Sequence, residues 1–170
     1  FTNTLSTLIL ISNKNHLNGS GVALGDYDND GRCDIYLCRL DGSNVMYRNL
    51  GNWKFEDTTA ATGTACPSQF SSGATFADVD GDRDLDLFVT AMGQPNRLFR
   101  NDGNGKFTDI SATAGVQIRS SATKVPMAKS LGVSPVDLDG DGWVDFIVAN
   151  DTVHNFVFKN KKDGTFTEMG

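Results

Sequence analysis

The chain has 170 residues, of which 21 are acidic and 15 are basic, giving a formal net charge of −6. Its longest basic cluster is the pair Lys161–Lys162, which argues against a nucleic-acid-binding protein. Its most apolar run, Leu8–Ile11, is far too short to span a bilayer. The composition therefore excludes nucleic acid as an expected partner and predicts no membrane span.

Short strand-like runs follow one another along the chain in groups of four. Each group has an apolar run, an acidic loop, a second apolar run, a run that begins and ends with Asn, and a last run around a Phe. No stretch keeps the apolar period of an amphipathic helix, so the pattern predicts an all-β protein. In chain order the runs are residues 21–25, 34–39, 44–49 and 53–57, then 73–77, 86–91, 96–101 and 106–109, and finally 131–136, 145–150, 155–160 and 165–168.

Equivalent phenylalanines mark a repeat. Phe1, Phe55, Phe107 and Phe166 recur at intervals of roughly 50 to 60 residues, and a four-stranded unit with this period is typical of a β-propeller blade. No linker separates the units, so the sequence predicts a single array over residues 1–170. Its units are residues 1–54, 55–106 and 107–165, and residues 166–170 form a closing strand.

Three blades are too few to close a propeller, which needs about four to eight. The chain begins and ends at the same point of the repeat, so we expect either a segment of a larger propeller or an assembly of several copies. The run Thr4–Ser12 has no place inside its own unit. It suits pairing with the open edge of another copy, or it belongs to a preceding blade.

A nine-residue acidic loop follows the first run of every unit, with Asp at positions 1, 3, 5 and 9. Carboxylates this close would repel one another and raise one another's pKa unless a cation lies among them. An oxygen-only cluster with this many donors suits Ca²⁺, and a solvated acidic stretch would not repeat one spacing three times. The sequence therefore predicts three calcium sites. Their side-chain ligands are Asp26, Asp28, Asp30 and Asp34; Asp78, Asp80, Asp82 and Asp86; and Asp137, Asp139, Asp141 and Asp145.

The second loop differs from the others at position 6. Gly31 and Gly142 occupy this position in the first and third loops, whereas the second loop has Arg83. If position 6 requires a positive φ, Arg83 costs on the order of 1 kcal/mol. The second site is then expected to be the weakest, unless the additional carboxylate of Asp84 offsets the strain.

Three cysteines can form one disulfide and leave one thiol. Cys38 lies on the second run of its unit and Cys66 in the link to the next unit, so we expect a bridge between these two. Cys33 is close to Cys38 along one extended strand, where Cα atoms are about 16 Å apart against a limit of about 7 Å. Too few Cys and His residues are present at suitable spacing to predict a zinc site.

The sequence does not predict an enzyme. It contains no Gly-x-Ser-x-Gly elbow, and its close carboxylate pairs already belong to the acidic loops. The run Gly103–Lys106 resembles part of a phosphate-binding loop, but the same position in the other units is a hairpin turn.

The loops and the two runs that follow them resemble a known repeat. The acidic pattern, followed by Asn96–Asn101 and Gly105–Asp109, resembles the FG-GAP/VCBS repeats of integrin alpha-chain propellers. Residues 150–155 and 159–168 are similar to the cartilage acidic protein 1 and ASPIC/UnbV-associated group, common among secreted bacterial proteins. The resemblance covers the whole chain and implies calcium loops between the first and second strands of each blade. It also implies that backbone carbonyls at position 7 complete the sites, namely those of Arg32, Asp84 and Trp143.

These observations predict a secreted calcium-binding β-propeller module, extracellular or periplasmic, that binds a protein or carbohydrate ligand or mediates adhesion. The alternative is a structural subunit of a homo-oligomer or filament, joined to further copies through terminal strands. Ligand specificity is expected on the face opposite the acidic loops. That face carries residues 41–44, 93–96 and 151–155, and the links 59–72 and 111–130.

Overall fold

A computed structural model of the chain describes residues 20–170, which form three four-stranded antiparallel sheets. Within every sheet the strands follow one another in chain order. This confirms the predicted all-β, propeller-type segment of three four-stranded units. The strands are β1 (Val22–Gly25), β2 (Asp34–Leu37), β3 (Val45–Gly51) and β4 (Lys54–Asp57); β5 (Ser71–Ala77), β6 (Asp86–Ala91), β7 (Arg97–Asn101) and β8 (Phe107–Asp109); and β9 (Ser130–Val136), β10 (Asp145–Asn150), β11 (Phe156–Asn160) and β12 (Phe166–Glu168).

Each sheet begins with the same hairpin around its acidic loop. The last residue of the first strand pairs with the Asp that opens the second strand, in the pairs Gly25 with Asp34, Ala77 with Asp86, and Val136 with Asp145. Because this register is identical in the three sheets, the loops occupy equivalent places at one end of each sheet.

The first strands of the three sheets lie side by side. A Cβ atom added to Gly21 of the first sheet would lie 2.6 Å from the Gly73 Cα atom, and one added to Gly73 would lie 3.2 Å from the Gly132 Cα atom. Only glycine permits backbones to approach this closely. The sheets therefore converge along β1, β5 and β9, as blades converge on a propeller axis.

The second sheet is buried on both faces. On β6, Leu87 and Val89 face a core shared with the first sheet, and Phe88 faces a core shared with the third. Side chains alternate between the faces of a strand, so a continuous apolar run serves both cores. In the core shared with the third sheet, the centroids of the Phe88 and Phe146 rings are 4.6 Å apart. This aromatic packing adds to the burial of apolar surface.

The link between the first two sheets contains a short helix that the sequence analysis did not anticipate. Helix α1 (Thr59–Thr62) ends at Gly63, whose φ of +76° is the left-handed conformation common at helix ends. The predicted terminal strand Thr4–Ser12 and the position of Phe1 lie outside the described residues.

The predicted Cys38–Cys66 disulfide is wrong, because all three cysteines are free thiols. Cys38 and Cys66 are both buried in the core between the first and second sheets, where each packs as a small apolar side chain. The Cys66 sulfur also lies 3.6 Å from the Tyr36 hydroxyl, which donates to the Thr64 carbonyl at 2.7 Å.

Candidate metal centres

The three acidic loops each bring three carboxylates together. In every loop the Asp residues at positions 1, 3 and 9 offer one oxygen each, and these oxygens lie within 4.8 Å of one another. The grouping is the same in all three loops although the intervening residues differ. The grouped residues are Asp26, Asp28 and Asp34; Asp78, Asp80 and Asp86; and Asp137, Asp139 and Asp145.

The Asp at position 9 is the buried anchor of each cluster. Asp86 accepts the Val79 N–H at 2.9 Å and the Asn101 N–H at 2.8 Å, so it joins the loop to the third strand of its own sheet. Asp34 and Asp145 make the equivalent pairs of bonds. Burial raises the pKa of Asp34 and raises the pKa of Asp86 to about 7, because desolvation disfavours the charged form.

The Asp at position 1 closes the loop on itself. The two oxygens of Asp137 accept the N–H groups of Gly140, Asp141 and Gly142 at 2.9 to 3.1 Å. Asp26 and Asp78 accept loop N–H groups in the same way. The loop backbone therefore holds this carboxylate at the edge of the cluster.

The carboxylates at position 3 have unsatisfied oxygens, and these indicate that a cation fits in the cluster. One oxygen each of Asp28 and Asp80 is buried without a hydrogen-bond partner. A buried carboxylate oxygen with no partner is costly, and a hard cation bound by oxygen donors satisfies it. Basic side chains approach this position too, since Arg48 forms an ion pair with Asp28, and Lys159 with Asp139.

The Asp at position 5 lies outside the three-oxygen groups. Asp30, Asp82 and Asp141 each accept the N–H of position 7 at 2.9 to 3.0 Å. These bonds shape the loop at the residues whose carbonyls were predicted as ligands. The structure thus brings positions 1, 3 and 9 together and places position 5 beside them, in contact with position 7.

In the second and third loops the side chain at position 7 points toward the preceding loop, whereas Arg32 in the first loop pairs with Asp30 of its own loop. The Asp84 carboxylate accepts a hydrogen bond from Asn29 at 2.6 Å, and the Trp143 ring lies against Gly81, where an added Cβ atom would be 3.0 Å away. Asp84 is therefore engaged by the first loop rather than offered to its own cluster.

Backbone conformation confirms that position 6 is left-handed. Arg83 has a φ of +77°, close to the values of +85° for Gly31 and +87° for Gly142. Position 4 is left-handed too, at Asn29, Gly81 and Gly140, which the sequence analysis missed. The signal was present, because Asn and Gly are the residues that adopt this conformation most readily.

An Asn side chain also joins each of the first two loops to the sheet that follows it in the chain. The Asn101 amide donates to the Tyr27 carbonyl at 2.7 Å, and the Asn160 amide donates to the Val79 carbonyl at 2.8 Å. Tyr27 and Val79 occupy position 2 of the preceding loop. The recurrent Asn is visible in the sequence, but its contact with the preceding loop is not.

The chain matches the family described as FG-GAP-like repeat at residues 26–89, 78–128 and 137–170. Each match begins at the first Asp of an acidic loop. The chain belongs to the FG-GAP-like repeat family. The three FG-GAP-like matches thus start at the acidic loops of the three sheets.

Three relatives of this FG-GAP-like chain share one name, cartilage acidic protein 1. The mouse (Mus musculus) protein is 31% identical over 97 residues, covering 55% of this chain and 15% of the relative. The human (Homo sapiens) protein is 28% identical over 146 residues, covering 79% of the chain and 21% of the relative. The Xenopus tropicalis protein is 30% identical over 96 residues, covering 55% and 15%. The chain therefore spans about a fifth or less of the length of these relatives.

No helix among residues 20–170 has the length and apolar character needed to cross a membrane.

Proposed function

We propose that this chain is a calcium-binding β-propeller module that acts outside the cell by binding a protein or carbohydrate ligand, without catalysis of its own. The observation that carries the proposal is the threefold recurrence of one carboxylate cluster, with buried, unpartnered oxygens on Asp28 and Asp80. Oxygen-only donors of this kind favour Ca²⁺ over zinc or copper.

Calcium would act on the fold rather than on a reaction. The Asp residues at positions 1, 3 and 9 would hold the ion, with position 5 and the position-7 carbonyl completing the set in each loop. Three Ca²⁺ ions carry six positive charges, which balance the formal net charge of −6. Binding to the folded state alone stabilises it by RT ln(1 + [L]/Kd). Extracellular modules use Kd values of roughly 10⁻⁴ to 10⁻³ M, in keeping with a secreted protein.

Thermal unfolding with and without calcium tests the proposal. EGTA should lower the melting temperature, and Ca²⁺ should restore it far better than Mg²⁺, which requires tighter octahedral geometry. Calorimetric titration should find three ions per chain. Asp139→Asn should reduce that number by one, whereas the matched change Asp151→Asn, outside the loops, should leave three. An unchanged melt after verified metal removal would refute the proposal.

A structural role is the second candidate, and the flank of the third sheet favours it. Position 2 is 3% exposed at Tyr27 and 0% at Val79, because the next sheet covers it, but the equivalent Leu138 is 48% exposed. The flank of the first sheet likewise exposes Val22 and Leu24. Exposed apolar side chains at positions that are otherwise covered mark a surface for a further unit.

Solution mass separates the two roles. A structural subunit should self-associate at micromolar concentrations when calcium is present, and Leu138→Lys should abolish the association. Trp53→Lys is the matched control, since Trp53 is exposed on the turn between β3 and β4. A folded monomer at all concentrations would refute the structural role and leave the binding role standing.

A further inference from the structure

A small polar cleft lies where the second sheet meets its two links. It is lined by Pro67 and Gln69 from the link before the sheet, by Gln94 and Arg97 at the β6–β7 turn, and by Gln117 from the link after it. Its volume is about 170 Å³. These segments belong to the face opposite the acidic loops, where ligand specificity was expected from the sequence.

Two of these residues depart from the repeat. Arg97 pairs with Val89 in the same register as Val45 with Leu37 and Phe156 with Val148, so the other sheets have apolar residues at its position. Gln69 lies two residues before β5, where the third sheet has the buried Ala128 before β9. Gln69 and Arg97 are therefore polar residues at two positions where the third sheet has the apolar Ala128 and Phe156.

The polar side chains are held in place before any ligand arrives. Gln69 is only 4% exposed, and its Oε1 accepts the Arg97 Nε–H at 2.6 Å. Arg97 also donates to Asp109 at 2.6 Å. The Gln94 side chain accepts the Phe70 N–H at 2.6 Å and donates to the Ser68 carbonyl at 2.9 Å. Fixed donors and acceptors lose little entropy on binding.

The link that forms one wall of the cleft has a strained backbone. Cys66 and Ser68, on either side of Pro67, both have positive φ values, a strained conformation for such residues. The backbone carbonyl of Asn96 accepts the Gln117 amide at 3.4 Å, which holds Gln117 at the side of the cleft.

We propose that this cleft binds one neutral sugar ring of a glycan, an inference that rests on the binding role proposed above. The amide groups of Gln69, Gln94 and Gln117 and the Arg97 guanidinium present donors and acceptors together, as vicinal hydroxyls require. The guanidinium charge is already balanced by Asp109, which disfavours an anionic ligand. The volume is below the roughly 300 to 1,000 Å³ of sites for larger ligands, so a single ring fits.

Saturation-transfer NMR on the calcium-loaded 170-residue chain tests the inference. The probes are the methyl glycosides of glucose, galactose, mannose, N-acetylglucosamine and glucuronic acid. At least one neutral glycoside should bind, and the double variant Gln69→Ala/Arg97→Phe, which imports the apolar pair of the third sheet, should weaken it at least tenfold. Arg39→Ala removes an arginine outside the cleft lining and should bind as the original chain does.

Gln117→Ala provides an independent variant at the side of the cleft if the double variant does not fold, and it should weaken binding at least threefold. Absence of binding to every neutral glycoside, undiminished binding by the folded variants, or preference for the glucuronide would overturn the inference. Calcium stoichiometry is measured on the same samples. If the unsubstituted chain binds no calcium, the proposed metal sites are refuted. If it binds three ions but no glycoside, only the sugar site is refuted.

Discussion

The Asn29 amide donates a 2.6 Å hydrogen bond to the Asp84 carboxylate, which joins the first acidic loop to the second. The second and third loops meet at the same two positions, where Trp143 lies against Gly81. Position 4 of one loop thus contacts position 7 of the next. Because the carbonyl of position 7 is an expected ligand, a change in one loop reaches the neighbouring site directly.

Asn29→Gly should therefore weaken the coupling between the first two proposed calcium sites. Glycine keeps the positive φ of this position and is already present in the other loops, so the change removes only the side-chain bond. Calorimetric titration should show weaker cooperativity between the first two ions, with three ions still bound. Unchanged cooperativity would show that this contact does not couple the sites.

Asn160→Ala should destabilise the chain more than Asn49→Ala. Both side chains bond within their own sheet, to the Val144 and Cys33 carbonyls, but Asn160 also donates to the Val79 carbonyl of the preceding loop. Leaving a buried carbonyl without its donor costs about 1–3 kcal/mol. Urea unfolding of the two variants measures this difference, and equal losses would show that the bond between the sheets contributes nothing.

Arg83→Gly should relieve backbone strain in the second loop. A non-Gly residue at this φ of +77° costs about 1–2 kcal/mol, part of which is offset because glycine is more flexible in the unfolded chain. We expect a gain of about 0.5 kcal/mol in the free energy of unfolding and tighter calcium binding at the second site. The reciprocal change Gly142→Ala should weaken the third site. Weaker binding at the second site in Arg83→Gly, or tighter binding at the third site in Gly142→Ala, would contradict the argument.

Thiol labelling should find one fast-reacting cysteine in the folded chain. Cys33 is exposed, whereas Cys38 and Cys66 are buried, and burial raises the pKa of Cys38 to about 12. Near pH 8 the buried thiols are neutral and inaccessible, so only Cys33 should react, and all three should react after unfolding. A total of one reactive thiol in the unfolded, unreduced chain would instead reveal a disulfide.

Alkaline pH should reduce stability through Cys38. The pKa of this thiol is about 12 in the folded chain and about 8.5 when unfolded. Above about pH 8.5 the unfolded state therefore binds fewer protons than the folded state, so the free energy of unfolding falls as pH rises toward 12. Comparing Cys38→Ala with the original chain isolates this contribution from other alkaline titrations. Parallel pH profiles would contradict it.

Local pattern was enough to predict the strands and the acidic loops, and it raised the condition of a positive φ at position 6. Alternating apolar residues, turn residues and Asp spacing act within one unit, and the register from Gly25 to Asp34 repeats in each sheet. The error at Cys38 and Cys66 has a different origin. Spacing along the chain showed that the two residues could approach, but packing between the first two sheets holds both as separate buried thiols.

The sequence by itself determined the repeat, the strand order and the carboxylates available to a cation, because each depends on residues close together in the chain. Only the tertiary structure decided which groups meet between units. Asn160 reaches the Val79 carbonyl and Asn29 reaches Asp84, across separations that no local period encodes. These contacts depend on how neighbouring sheets pack, and that packing is set by glycine contacts at the inner strands and by apolar side chains facing both cores.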